Sequence, residues 1–219
     1  MTSAKSDLAP PRFDDEFRAG LRDLILWRRD VRRFKPDPVD PDLISTLIGL
    51  AGHAPSVGHS QPWRFVLVES DQPRASIRES YRRANAQALE GYSGEKRRLY
   101  AKLKLEGLQQ APAQLAVFAD EATQTGAGLG RQSMPETLRY SVVGAVQTLW
   151  LCARSHGLGV GWVSILEPDT VAAALDVPAN WALIAYLCIG WPEEEHLDPE
   201  LQRSGWEDTI DPCSITFRR

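Results

Sequence analysis

Apolar residues recur along this chain at two periods, and the switches between them divide it into elements. Between residues 13 and 28, Phe17, Leu21, Leu24 and Ile25 have helical spacing. Asp40-Pro41 is an N-cap followed by a proline at the first helical position. Leu43, Ile44, Leu47, Ile48 and Ala51 then form one helical face. Residues 64–68 predict a buried strand. Residues 72–110 are polar and rich in Arg and Ala, and predict helix with a break near Gly91 to Gly94. Residues 114–119 predict a second strand, and the Gly/Thr-rich residues 121–133 a loop suited to a mobile cover.

Residues 137–156 differ. Tyr140, Val142, Val143, Ala145, Val146, Leu149, Trp150, Leu151 and Ala153 leave little polar face. Such a helix is expected to be buried nearly all round, in the core or at a subunit interface. Gly157-Leu158-Gly159 ends it. Residues 160–166 predict a third strand, 168–175 a short helix and 181–189 a fourth strand. The order predicts one α+β domain over residues 13–219, with a flexible N-terminus at 1–12 and a C-terminal tail.

Composition narrows the function. The chain has 219 residues, 43% hydrophobic and 25% charged, enough for one domain with a sizeable core. A net charge of −4 argues against a general nucleic-acid footprint. No apolar run reaches transmembrane length, and residues 1–11 hold no export signal. Cys152, Cys188 and Cys213 are too widely spaced for a metal motif, and their odd count fits a reducing cytoplasm. His53, His59 and His156 form no metal-ligand spacing, and His196 stands among carboxylates, so no metal site is expected. Neither a G-x-G-x-x-G run nor a P-loop is present.

The chemistry concentrates in two segments. Arg28-Arg29-Asp30-Val31-Arg32-Arg33-Phe34 sets four arginines around one carboxylate. Guanidinium forks match phosphate oxygens bidentately, and a charge-compensated aspartate accepts hydrogen bonds from ligand N–H groups. A reduced flavin mononucleotide has a phosphate at one end and donor-rich heteroatoms at the other. A solvated basic helix end is the competing reading. Residues 56–66 read Ser56-Val57-Gly58-His59-Ser60-Gln61-Pro62-Trp63-Arg64-Phe65-Val66. Gly58 can let backbone approach a ligand, Ser56, Ser60 and Gln61 offer hydrogen-bonding groups, and Pro62 bars a helix. An ordinary helix-to-strand loop uses the same residue types.

RRDVRRF, APSVGHSQPWRFVLV and GLGVGWVSIL together resemble the nitroreductase-like flavoproteins, and among them the BluB branch of 5,6-dimethylbenzimidazole synthases. The resemblance runs from the first helix to Trp191. It implies an α+β nitroreductase-like fold, a mixed central sheet flanked by helices, and a homodimer with flavin sites between subunits. It implies reduced FMN as substrate, O2 as co-substrate, and 5,6-dimethylbenzimidazole and erythrose 4-phosphate as products. Reducing equivalents from NAD(P)H would arrive through a separate flavin reductase. An NAD(P)H-dependent nitroreductase or flavin reductase that retains FMN is the alternative enzyme. A non-catalytic flavin-binding protein is the third class.

The family has a functional aspartate in the RRDVR run, which makes Asp30 the first catalytic candidate, as general base or holder of a water. Its structural alternative is an ion pair to Arg28 or Arg32. Ser164 is the second, as a hydroxyl donor near flavin and oxygen, or as a strand-end serine bonded to backbone. The resemblance assigns Arg28, Arg29, Asp30, Val31, Arg32, Ser56, Gly58, Leu108 and Ser164 to flavin binding. Leu108 would belong to the site's cover, and Arg33 would face solvent. Met134-Pro135 shapes the pocket or simply packs. The last residues, 203–219, form a tail that either wraps a partner subunit or is disordered.

Overall fold

The structure, a computed structural model, describes residues 9–103 and 107–219. Strands β1 (Trp63–Leu67), β2 (Ala113–Asp120), β3 (Gly159–Val163) and β4 (Trp181–Gly190) form one four-stranded sheet in the order β1-β2-β4-β3. All three ladders are antiparallel. A parallel element enters at the β3 edge, as an isolated bridge between Asp30 and Val160.

Strand alternation sorts the sheet into two cores. Leu115, Val117 and Ala119 of β2, with Leu187 and Ile189 of β4, face helices α2 (Pro41–Ala51) and α6 (Thr137–Ser155). Ala116, Phe118, Tyr186 and Cys188 point the other way. They meet Ile77 of α3 (Asp71–Glu90), Val171 of α7 (Pro168–Ala174), Phe34 and Leu108. Helices on both faces explain why the strands read as unbroken apolar runs. Each large side chain buried in this way contributes about 1.5–3 kcal/mol. The buried Tyr186 hydroxyl donates to Gln114 Oε1 at 2.6 Å, and Gln114 Nε2 donates to the Leu108 carbonyl at 3.1 Å, so these two side chains are paired inside the second core.

The first helix, α1 (Asp15–Trp27), starts where the Asp14 carboxylate accepts from Phe17 N at 2.8 Å. The long polar stretch breaks near Gly91 as expected, into α3 and α4 (Gly94–Lys102), followed by a single turn, α5 (Gly107–Gln110). The part of that expected helix at residues 104–106 lies outside the described residues, as do residues 1–8 of the N-terminus. Among the described residues no helix is long and apolar enough to cross a membrane.

Two expectations are corrected. Helix α6 is not buried all round in the single chain: Tyr140 is 59% and Val143 41% exposed. One face packs on the sheet and α2, and the outward face has no further layer of this chain over those two residues. The third strand is also shorter than residues 160–166. Its ladder with β4 ends at Val163 opposite Tyr186, so Ser164 follows the strand and is exposed. An exposed hydroxyl needs no protein partner, which removes the argument that it must find one.

Candidate functional site

Helix α1 stops at Trp27 because Arg28 turns to extended backbone, with φ −70° and ψ 119°. The segment then runs along the edge of β3. Val31 N donates to the Val160 carbonyl at 3.0 Å, and Phe34, 1% exposed, bridges Pro192. The arginine run is therefore an added edge segment and not a solvated helix end. The glycines of GLGVGWV make that approach feasible. A Cβ on Gly161 would lie 2.2 Å from the Val31 carbonyl oxygen, and one on Gly159 2.7 Å from Val31 Cγ2.

This edge pairing fixes Asp30. The amide of Trp162 donates to its Oδ1 at 2.8 Å, and Arg32 Nε lies 3.6 Å from Oδ2. Burial pushes the Asp30 carboxyl above its ordinary value, opposed by the Trp162 amide and by the Arg32 charge. Ser164 stands two residues beyond Trp162, roughly 6.5 Å further along the strand direction. Ser164 is exposed just past the strand whose Trp162 amide holds Asp30, and it lines neither cavity beside that carboxylate.

The arginines have distinct partners. Arg29 Nε donates to the Leu197 carbonyl at 2.9 Å and its Nη1 to the Arg28 carbonyl at 2.7 Å. Desolvation lowers its pKa. Arg33 is half-buried rather than facing solvent, because Glu194 and Glu200 pair with it. Arg28 lies 5.0 Å from the Trp150 ring centroid, over its face. Arg32 has a buried Nε with no hydrogen-bond acceptor. A small cavity of about 40 Å3 lies between Asp30, Val31, Arg32 and the residues Glu194, Asp198 and Glu200. A second, of about 170 Å3, adjoins Arg28, Asp30, Arg32, Glu200 and Leu201. Val31 lines the first cavity but has its own amide bonded to β3.

The acidic wall of these cavities was not foreseen from sequence. It comes from residues 194–200 and the one-turn helix α8 (Glu200–Arg203). The available signal was the run Glu193-Glu194-Glu195-His196, opposite in charge to the arginine run.

Ser56 and Gly58 lie elsewhere, and neither lines the two cavities around Asp30. Ser56 Oγ accepts from Gln61 N at 3.1 Å, and Val57 N donates to Ser141 Oγ of α6 at 3.0 Å. Gly58, His59 and Gln61 all have positive φ, at 55°, 54° and 46°. Strain of this kind in non-glycine residues clusters at functional sites. Gly58 admits the chain's own loop: a Cβ there would lie 2.6 Å from the Leu129 carbonyl oxygen. Residues 121–133 accordingly sit against the Ser56 loop, and Arg131 Nη1 donates to the Thr123 carbonyl within them at 2.5 Å. The buried Ser60 Oγ has no hydrogen-bond partner. Leu108 is 2% exposed within the second core, so the structure gives it a packing position and not one at the rim of these cavities. Met134 is half-exposed, just before α6.

A model of the family described as "Nitroreductase family" matches residues 25–191. The chain is 59% identical to a 5,6-dimethylbenzimidazole synthase of Rhodospirillum rubrum, over 90% of this chain and 93% of that protein. It is 45% identical to a protein of the same name from Rhodobacter capsulatus, over 90% and 96%. Among solved structures, an iodotyrosine deiodinase bound to FMN and 3-iodo-L-tyrosine superposes with a TM-score of 0.69 at 27% identity, covering 80% of this chain and 91% of that one. A BluB-like flavoprotein from Clostridium difficile has the same fold, with a TM-score of 0.66 at 22% identity and coverage of 91% and 99%. With its sheet, its arginine-bearing edge segment and these relatives, the chain belongs to the nitroreductase family.

Proposed function

We propose that this chain is a 5,6-dimethylbenzimidazole synthase, consuming reduced FMN and O2 and releasing 5,6-dimethylbenzimidazole and erythrose 4-phosphate. The observation that carries this reading is the 59% identity, over nine-tenths of the chain, to a protein of that name. The donor set fits an anionic, donor-rich substrate: an arginine-lined cavity, one buried and unbonded Arg32 Nε, and a fixed carboxylate. When bound, the flavin ring supplies the benzimidazole carbons and a ribityl carbon the bridging one.

The chain's residues bind, orient and move protons. Arg29 is committed to backbone carbonyls and Arg33 to Glu194 and Glu200. Arg28 and Arg32 are therefore the phosphate ligands in this reading. Asp30, with Oδ1 held by the Trp162 amide, offers Oδ2 as the proton acceptor or the anchor of a water. Its raised pKa makes it a better base than an exposed aspartate. Ser164, exposed after β3, supplies a hydroxyl donor.

A second copy of the chain completes the site. Phe17, Leu21 and Ile25 of α1, with Phe13 just before it, are each at least 41% exposed, and so are Tyr140 and Val143 of α6. So much exposed apolar surface on packed helices calls for a partner. The separation of the Ser56 loop from the Asp30 cavities fits a site assembled from two subunits. Reduced FMN comes from a separate flavin reductase, in the cytoplasm, where the three unpaired cysteines stay reduced.

The test is aerobic incubation of purified protein with FMN and a reducing system, followed by mass spectrometry. The expected result is 5,6-dimethylbenzimidazole that is absent without protein. Consumption of NAD(P)H with a nitroaromatic acceptor and no such product would replace this reading with a nitroreductase. A relative 27% identical, a putative NAD(P)H nitroreductase of Bacillus subtilis, makes that the comparison to run.

A further inference from the structure

Arg32 sits between two carboxylates and is hydrogen-bonded to neither through Nε. That atom is 3.6 Å from Asp30 Oδ2 and 3.9 Å from Glu200 Oε2. The side chain is 11% exposed, so water does not freely serve in their place. A buried N–H held between two acceptors can close on either. Closing on Asp30 favours its ionised form; closing on Glu200 leaves Asp30 with the Trp162 amide alone.

The other charged groups around Asp30 meet protein groups other than its carboxylate. On its own segment, Arg28 lies over Trp150, Arg29 bonds the Leu197 carbonyl, and Arg33 pairs with Glu194. On the C-terminal segment, His196 Nε2 is 3.0 Å from Glu194 Oε2, and Arg203 Nη1 donates to the Asp198 carbonyl at 2.7 Å. Behind, on β4, stands the buried Cys188 thiol, pushed up by burial and by the Asp30 charge. Glu200 is left as the anion that faces Arg32 opposite Asp30. Its place is fixed from both ends of α8. Arg33 Nη1 lies 3.5 Å from Glu200 Oε1, and Trp206 anchors the next turn against Tyr92 at 5.3 Å between ring centroids.

We propose that Glu200 is a positioning residue for Asp30: it shares the Arg32 guanidinium and so sets how much of that positive charge the Asp30 carboxylate receives. The proposal rests on the reading of Asp30 and Arg32 as site residues, and not on which product forms. It assigns a role to the C-terminal segment, beyond closing the cavity wall.

The test is a titration of the Asp30 carboxyl by carbon-13 NMR in ligand-free protein labelled at aspartate carboxyl carbons, with Asp30→Asn assigning the signal. Glu200→Gln is expected to move the midpoint to lower pH, because Arg32 then serves Asp30 alone and a neighbouring negative charge is gone. Glu200→Asp should fall between. In an Arg32→Gln background the effect of Glu200→Gln should shrink, since the shared group is missing. Glu194→Gln, whose partner is Arg33, should shift the midpoint less than Glu200→Gln. An unmoved or raised midpoint in Glu200→Gln overturns the proposal. So does an equal shift in the Arg32→Gln background, or an equal shift from Glu194→Gln. Where product formation is measured as well, the acid limb of kcat/KM should move in the same direction as the NMR midpoint. A wild-type protein that makes no product would refute the proposed function and leave the NMR result to decide this inference.

Discussion

The amide of Trp162 donates to Asp30 Oδ1 at 2.8 Å, joining residues 132 positions apart in sequence. Through that bond the arginine segment and β3 act as one unit, and the carboxylate is held with one oxygen engaged and the other facing Arg32. The glycines at 159 and 161 permit the contact, and the bridge of Asp30 to Val160 sets its register.

Asp30→Asn tests the carboxylate's chemical role apart from its structural one. The amide oxygen can still accept from Trp162, so FMN binding and fold should persist. Product formation should fall by about a hundred- to ten-thousand-fold, the range for loss of a general base. Flavin fluorescence titration and product assay read the two effects separately. Unchanged yield would leave Asp30 a structural ion-pair partner.

The same variant has a signed effect on stability. Burial raises the folded-state pKa of Asp30 above its unfolded value. Its contribution to stability is therefore complete below the unfolded pKa and is lost as pH rises through the folded one. Asp30→Asn should unfold at a higher temperature than wild type at neutral pH, with the difference closing on acidification. Glu194 and Glu195 act oppositely: Arg33 and Arg154 hold them below the usual range, so their contribution is lost as pH falls. Differential scanning calorimetry of both proteins across pH isolates the Asp30 part.

Ser164→Gly should change stability little, within about 0.5 kcal/mol beyond the backbone effect of glycine, because the residue is exposed after β3. Product yield should fall all the same if the hydroxyl acts on the substrate. Normal yield and kinetics would remove Ser164 from the site.

Gly58→Ala tests the seat of the 121–133 loop. The residue has φ +55°, and a Cβ would meet the Leu129 carbonyl oxygen at 2.6 Å. A loss of about 1–3 kcal/mol is expected from strain at such a position. Hydrogen exchange should rise in residues 121–133 before it rises in the sheet. Wild-type protection there would mean that the loop does not depend on Gly58.

Much of the fold was legible because burial imposes a period. The strands, α2, and the break near Gly91 follow from apolar spacing and local turn chemistry. Where a side chain points outward was less so: the apolar run allowed the core or a subunit interface, and its spacing did not single out Tyr140 and Val143 as the open face of the single chain. On the side that resembles a family, Asp30 and the arginines proposed for the site could be named from sequence. Its acidic side was not, because Glu194 and Glu200 meet Arg33 across more than 160 positions and nothing local marks that pairing. Gly159 and Gly161 were visible as glycines, but the Val31 backbone they admit was not.

Leu21→Glu tests the proposed second copy. A charge placed in the exposed stripe of α1 should convert a dimer to monomers, read by sedimentation velocity, with the far-ultraviolet spectrum unchanged. Wild-type protein that sediments as a monomer would contradict a two-subunit site.

The central claim is that this chain breaks the flavin itself. It is tested most directly by single-turnover reaction with reduced FMN carrying carbon-13 in the ribityl chain, followed by mass spectrometry of the benzimidazole. One labelled carbon at the bridging position of 5,6-dimethylbenzimidazole is the result the account predicts. Intact, fully labelled FMN recovered after complete reoxidation would contradict it.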